Sequence, residues 1–243
     1  MATSVQPAQP PAPSTPHPLD NPAWASLSGP HSSFAERVGR AARYPSDVAP
    51  FTALADPADP TAWADLARLL GPGAEAVVTG ASTDPPSGWQ AVEQIAGVQF
   101  VGTSLRAEPD PRAVRLGQAD ADEILDLVAR TRPGPFKQRT VTLGTYLGIR
   151  HEGRLVALAG ERLHPPGWTE ISAVCTDPAH RGRGLATRLV RAVAAGIRER
   201  GETPFLHTAA SNTTAIRLYE SLGFTLRKRT TFLAVRTPDT TAL

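Results

Sequence analysis

Residues 177–187 read Asp-Pro-Ala-His-Arg-Gly-Arg-Gly-Leu-Ala-Thr. Gly182 and Gly184 let the backbone curl closely around a ligand. An apolar-periodic segment begins directly after them, so the loop opens a helix. The first turn of a helix presents unpaired N–H groups and a positive partial charge, and Arg181 and Arg183 add cations that suit phosphate oxygens. The chemistry expected here is capture of a phosphate or pyrophosphate. Two other phosphate loops fit less well. The string G-x-x-x-x-G-K-[ST] does not occur. Gly182 and Gly184 supply the first pair of a dinucleotide fingerprint, but Thr187 stands where its third glycine belongs.

The elements around the loop follow from periodicity. Residues 140–150 and 154–163 read as strands joined at His151-Glu152-Gly153, a hairpin turn. Residues 169–176, rich in Ile and Val, form the next strand and run into the loop. Residues 184–200 read as a long helix with Leu185, Leu189, Val193 and Ile197 on one face. A strand over 205–208, a helix over 212–222 stopped by Gly223 and a closing strand over 224–235 complete the pattern. Ahead of these, 113–116 reads as a strand and a helix capped by Asp120 or Asp122 runs to Arg130, followed by a loop over 131–138. The order is β-α-β-β-β-α-β-α-β.

The first 110 residues carry no chemical motif. Residues 1–16, with five prolines, read as a disordered tail. Residues 17–110 read as a smaller α+β domain, with a short helix over 33–42, an amphipathic helix over 61–70 and short strands at 76–79 and 98–101. A polar linker over 107–112 leads into the domain at 111–243. Charge divides along the same line. Residues 1–111 hold five Lys and Arg against eleven Asp and Glu, and residues 112–243 hold twenty against twelve, giving −6 and +8. A basic half suits an anionic ligand, and an acidic half hints at a cationic acceptor. The arginines are not interleaved with aromatics, so nucleic acid is not the expected partner. One cysteine and six histidines show no metal-ligand spacing. With no signal segment or membrane-length apolar run, the cytoplasm is the expected compartment.

The stretch from Thr169 to Phe224 resembles the GNAT superfamily of N-acetyltransferases. The loop pattern [RQ]-x-x-G-x-[GA] is matched by Arg181, Gly184 and Ala186. The Val174-Cys175-Thr176-Asp177-Pro178 step precedes it, and Asn212-x-x-Ala215-x-x-x-Tyr219-Glu220-x-x-Gly223-Phe224 follows. The resemblance covers residues 111–243. It implies a mixed α/β, GNAT-like fold with a central mixed sheet, acetyl-CoA as co-substrate without a metal, and a small-molecule or peptide amine as acceptor. A non-catalytic acyl-CoA sensor is the alternative. It further implies that the backbone of Val174, Cys175 and Thr176 pairs with pantetheine. Arg181, Gly182, Arg183, Gly184, Leu185, Ala186 and Thr187 would hold the pyrophosphate, and Asn212 would reach the cofactor arm. Glu170, acting directly or through water, is the expected base, with Glu161 as its rival. The Val174 N–H would polarise the thioester and Tyr219 would protonate the leaving thiolate. The acceptor pocket is expected from residues 131–137 and 227–232, roofed by the N-terminal part.

Overall fold

The computed structural model describes residues 16–80 and 84–239. The expected tail therefore lies, except for Pro16, outside the described residues. The strands are β1 (Glu36–Val38), β2 (Ala41–Arg43), β3 (Phe51–Leu54), β4 (Glu75–Thr79), β5 (Gln90–Val101) and β6 (Val114–Leu116), then β7 (Tyr146–His151), β8 (Arg154–Glu161), β9 (Trp168–Thr176), β10 (Thr203–Ala209) and β11 (Thr225–Arg236). The helices are α1 (Pro22–Leu27), α2 (Pro60–Leu70), α3 (Ala121–Thr131), α4 (Leu185–Glu199) and α5 (Thr213–Ser221). One mixed sheet runs β1-β2-β3-β4-β11-β5-β10-β9-β8-β7-β6, the mixed α/β architecture expected from the sequence.

Set β6 aside, and that order reads the same from either end. β7, β8 and β9 are successive antiparallel neighbours, and α4 then crosses to β10, which runs parallel to β9. β1, β2 and β3 repeat this pattern, and α2 crosses to β4, parallel to β3. The last strand of each half crosses to the other: β5 pairs with β10, and β11 pairs with β4. β5 and β11 pair with each other along the centre. The acidic and basic halves therefore share one sheet through their exchanged strands.

The two crossovers differ where a ligand would matter. Asp56-Pro57 follows β3 as Asp177-Pro178 follows β9. The first loop continues Ala58-Asp59-Pro60, without glycine or arginine. Chain residues also cover that end of β3, where Asn21 Nδ2 donates to the carbonyl of Leu54 at 2.7 Å. α4 lies against β7 to β10, with Leu189, Val193 and Ile197 all at 1% exposure or less. Each contributes roughly 1.5–3 kcal/mol by leaving water.

α1 and β3 have no counterpart in the sequence pattern, and three expected elements differ from it. Residues 33–42, expected as a helix, form a 3-10 turn (Ser32–Phe34) and the β1–β2 hairpin. Gly39 takes φ +49° in that hairpin, and Arg40 N–H is held by the Asp65 carboxylate of α2 at 2.7 Å. This contact spans 25 residues and overrides local periodicity. The strand expected over 140–150 begins as a 3-10 turn (Thr140–Leu143), with Thr140 Oγ1 donating to the Val48 carbonyl at 2.6 Å. β5 starts eight residues earlier than the apolar signal, because its exposed first half is ordered by backbone pairing with β11. Among the described residues no helix is long and apolar enough to cross a membrane.

Candidate active site

β9 and β10 pair only from Thr203–Trp168 to Phe205–Glu170 and then part. On its other side β9 carries a bulge: Cys175 faces Leu158 and Ser172 faces Gly160, so Ala173 and Val174 together oppose Ala159. Ala173 takes φ +54°, a left-handed conformation unusual for a residue with a Cβ. Bulges re-aim backbone and side chains beside sites. The result is a groove of about 840 Å³ that runs between the parted strands to the start of α4.

At its outer end Gly182 and Gly184 adopt φ +74° and +70°. A Cβ added at either would meet nothing within 4 Å, so the loop faces open space. Gly184 is the N-cap of α4, and no side chain caps the helix. Its first N–H groups are therefore left for an anion. Arg181, Gly182, Gly184, Leu185, Ala186 and Thr187 line this end of the groove; Arg183 does not.

Val174, Cys175 and Thr176 line the middle. Thr176 Oγ1 is buried without a hydrogen-bond partner among the described residues, a donor that a ligand amide or carbonyl would satisfy. Burial pushes the Cys175 thiol up to about 11, so it is an inert thiol rather than a nucleophile. Asn212 caps α5 by accepting from Ala215 N–H at 3.1 Å and also lines the groove. Tyr219 lines the groove at 7% exposure. Burial pushes its phenol up to about 12, so it stays protonated and able to donate.

Glu170 sits where the strands part, yet it does not line the groove, and it is 0% exposed. Arg162 donates Nε to Oε2 and Nη2 to Oε1, both at 2.8 Å. His207 Nδ1 lies 2.7 Å from Oε1. Burial alone would raise the Glu170 pKa, but the Arg162 charge and these hydrogen bonds outweigh it and hold the carboxyl well below its usual range. A carboxylate so stabilised is a weak proton acceptor. Glu161 is also occupied: Arg200 donates to Oε1 at 2.9 Å and Thr145 N–H to Oε2 at 3.0 Å.

His207 does line the groove. Gln99 Nε2 donates to the Leu19 carbonyl at 2.9 Å, and Gln99 Oε1 accepts from Arg227 at 2.9 Å. These partners fix the amide, so its Nε2 also donates to His207 Nε2 at 2.9 Å. His207 is thus the tautomer with hydrogen on Nδ1, and its lone pair is already engaged. The inner end of the groove is completed by Phe51, Val77, Ile95 and Phe232. From the loop over 131–137, Thr131 to Pro135 line one side; of residues 227–232 only Phe232 does.

Arg162, His207, Phe51, Ile95 and the left-handed Ala173 escape sequence reasoning. Arg162 meets Glu170 across a turn, and Phe51 and Ile95 arrive through the exchanged sheet, so no fixed spacing marks any of them. Alanine carries no signal for positive φ.

The FR47-like protein family model matches residues 146–233. N-alpha-acetyltransferase RimI of Mycobacterium tuberculosis is 32% identical over 132 residues, 49% of this chain and 82% of that protein. Mycothiol acetyltransferase of Thermomonospora curvata is 39% identical over 83 residues, 34% of this chain and 28% of that protein, so the chain spans under a third of this relative's length. A solved GNAT-family structure from Novosphingobium aromaticivorans superposes with a TM-score of 0.84 at 41% identity, covering 93% of this chain and 100% of that one.

Proposed function

The chain belongs to the GNAT family of N-acetyltransferases, and from that membership we propose that its groove carries acetyl-CoA and passes the acetyl group to an amine by direct attack. One observation carries this reading: the parted β9 and β10 open a groove that ends on the uncapped N-terminus of α4 at Gly182 and Gly184. The orphaned Thr176 hydroxyl and the open space beside both glycines suit the cofactor. The N–H groups from Gly182 to Thr187, with Arg181, would hold its pyrophosphate. The backbone of Val174 to Thr176 would hold its pantetheine, and Asn212 its arm. When bound, acetyl-CoA supplies a thioester that an amine can attack.

The protein's own part is to position, polarise and protonate. The bulge at Ala173 releases backbone groups from the β8 ladder, which suits Val174 N–H to polarise a carbonyl. Tyr219, held protonated, is the donor to the departing thiolate. Glu170 acts as a positioning residue in this reading, because it is paired and outside the lining. It fixes Arg162 and His207. No Asp or Glu is among the described residues lining the groove, so the acceptor nitrogen has no lining carboxylate to deprotonate it. An apolar wall favours the neutral amine, whose ammonium proton leaves to solvent before attack; the proton shed by nitrogen after attack balances the one that Tyr219 gives the thiolate and regains.

The test is thiol release from acetyl-CoA with a panel of amines, read together with product mass. Acetylated amine and free CoA in equal amounts are expected. Tight acetyl-CoA binding without transfer to any amine would instead make the chain an acyl-CoA sensor.

A further inference from the structure

The inner end of the groove has a chemical character of its own. Phe51, Val77, Ile95 and Phe232 make it apolar, and Arg162 supplies its fixed charge. The Arg162 side chain is 10% exposed, and its guanidinium lies 4.8 Å from the centre of the Phe51 ring. Nε and Nη2 are spent on Glu170, and among the described residues no group accepts from Nη1. A buried guanidinium with a donor left over is a receptor for an anion.

A cationic acceptor meets the opposite conditions. It would lie against the apolar wall of Phe51, Val77, Ile95 and Phe232 and the donor edge of Arg162, with Glu170 turned behind that guanidinium and no carboxylate in the described lining to replace water. From the acidic first half only Asp20 comes near, in a small cavity behind Phe51, Arg162, His207 and Phe232, and Arg227 and Lys228 hold its carboxylate there. The residues that half contributes to the wall are Pro50, Phe51, Val77 and Ile95, all uncharged. The hint of a cationic acceptor, drawn from net charge, is therefore not reflected in the pocket.

Resting on the acetyl-transfer reading, we propose that the acceptor is a small amine carrying a carboxylate beside an apolar group, an apolar or aromatic amino acid in chemical class, with its carboxylate on Arg162. Apolar contact with Phe51, Ile95 and Phe232 orients the side chain, and the Arg162 contact sets the amine at the point where β9 and β10 part. The proposal gives the N-terminal half a task, which is to build the apolar side of the acceptor pocket through β3, β4 and β5.

The experiment compares matched acceptors on the full-length chain: phenylalanine and leucine, their amides, phenethylamine and isoamylamine, and spermidine. Amides are less basic and offer more free amine at neutral pH, so intrinsic reactivity favours them. A preference for the free acids then reports recognition. At least a ten-fold higher kcat/KM for the amino acids than for their amides and decarboxylated counterparts is expected, with spermidine poorest. Arg162→Lys, which keeps a charge and loses the planar fork, should reduce that ratio several-fold, and because both rates come from the same variant a general loss of activity cancels from it. Equal or better turnover of the amides or spermidine, or an unchanged ratio in a folded Arg162→Lys protein, overturns the proposal and leaves acetyl transfer standing. Acetyl-CoA binding with transfer to none of these or other amines overturns both.

Discussion

Arg162 and Glu170 meet through two hydrogen bonds of 2.8 Å each, in a place where the side chains are only 10% and 0% exposed. They stand just beyond β8 and within β9, joined also by Arg162 N–H to the Glu170 carbonyl at 3.0 Å. Arg162 lines the groove's inner end and Glu170 backs it from beneath. The pair's geometry explains why a glutamate at the strand junction serves as an anchor here. Each lone-pair direction that a substrate proton could use is already taken by Arg162, His207 or the Leu163 N–H.

Glu170→Gln therefore should act on stability before chemistry. Removing one partner of a buried ion pair leaves the other uncompensated, at a cost of about 3–5 kcal/mol. The expected result is a markedly lower Tm or urea midpoint. In wild type, the acid limb of kcat/KM should not titrate as a carboxylate in its usual range, because Glu170 is held ionised well below it. A pH-rate limb near the ordinary glutamate value that disappears in Glu170→Gln would restore Glu170 as the base.

Tyr219→Phe removes a hydroxyl that lines the groove and makes no hydrogen bond among the described residues. The ring's packing against Phe224, at 5.8 Å between centroids, is kept. Acetyl-CoA affinity should hold, and kcat should fall ten-fold or more, toward the general-acid range of about 10²–10⁴. Unchanged turnover would remove Tyr219 from the mechanism.

The second half of the chain was largely legible in its sequence because its signals are local. Gly182 and Gly184 mark the loop, i+4 leucines and valines mark α4, and Asn212 marks the start of α5. The first half was less so, because its order is imposed from a distance. Gly39 turns against Asp65, β5 is extended by β11, and α1 is tied to the end of β3 by Asn21. The groove's inner end draws Phe51, Ile95, Arg162, His207 and Phe232 from five separate stretches. Only the exchanged strands bring them together, and exchange of this kind has no periodicity to read.

His31 makes the fold acid-sensitive. It is 4% exposed, with Nδ1 3.0 Å from Tyr44 Oη and Nε2 3.1 Å from the Leu143 carbonyl. Burial lowers its pKa from 6.5 to about 4, with the neighbouring His164 adding to the effect. The unfolded chain thus binds the proton more readily. The stabilisation is whole above the unfolded pKa and is lost as pH falls from 6.5 toward 4. It amounts to about 3 kcal/mol at most. Urea midpoints should decline across this window, ahead of carboxylate protonation. His31→Gln should flatten the decline while lowering stability at neutral pH. An equal slope in the variant would assign it to other groups.

The mirrored strand order raises the question of how many cofactors one chain takes. The β3–α2 crossover repeats the β9–α4 crossover, Asp-Pro step included, but offers Asp59 at the helix start where the second offers Gly184. The Asp59 side chain caps α2 by accepting from Thr61 N–H at 2.8 Å, and Asn21 occupies the Leu54 carbonyl. Both features that would admit a nucleotide are thus taken by the chain itself, and an acidic cap repels phosphate. Calorimetry should give one CoA per chain. Gly184→Glu, which puts a carboxylate and a strained left-handed residue into the cradle, should abolish that single event while circular dichroism stays native. Two sites, or half the heat surviving in Gly184→Glu, would mean that the first crossover binds nucleotide despite its aspartates. A folded Gly184→Glu protein with normal affinity would displace the cofactor from the α4 loop altogether.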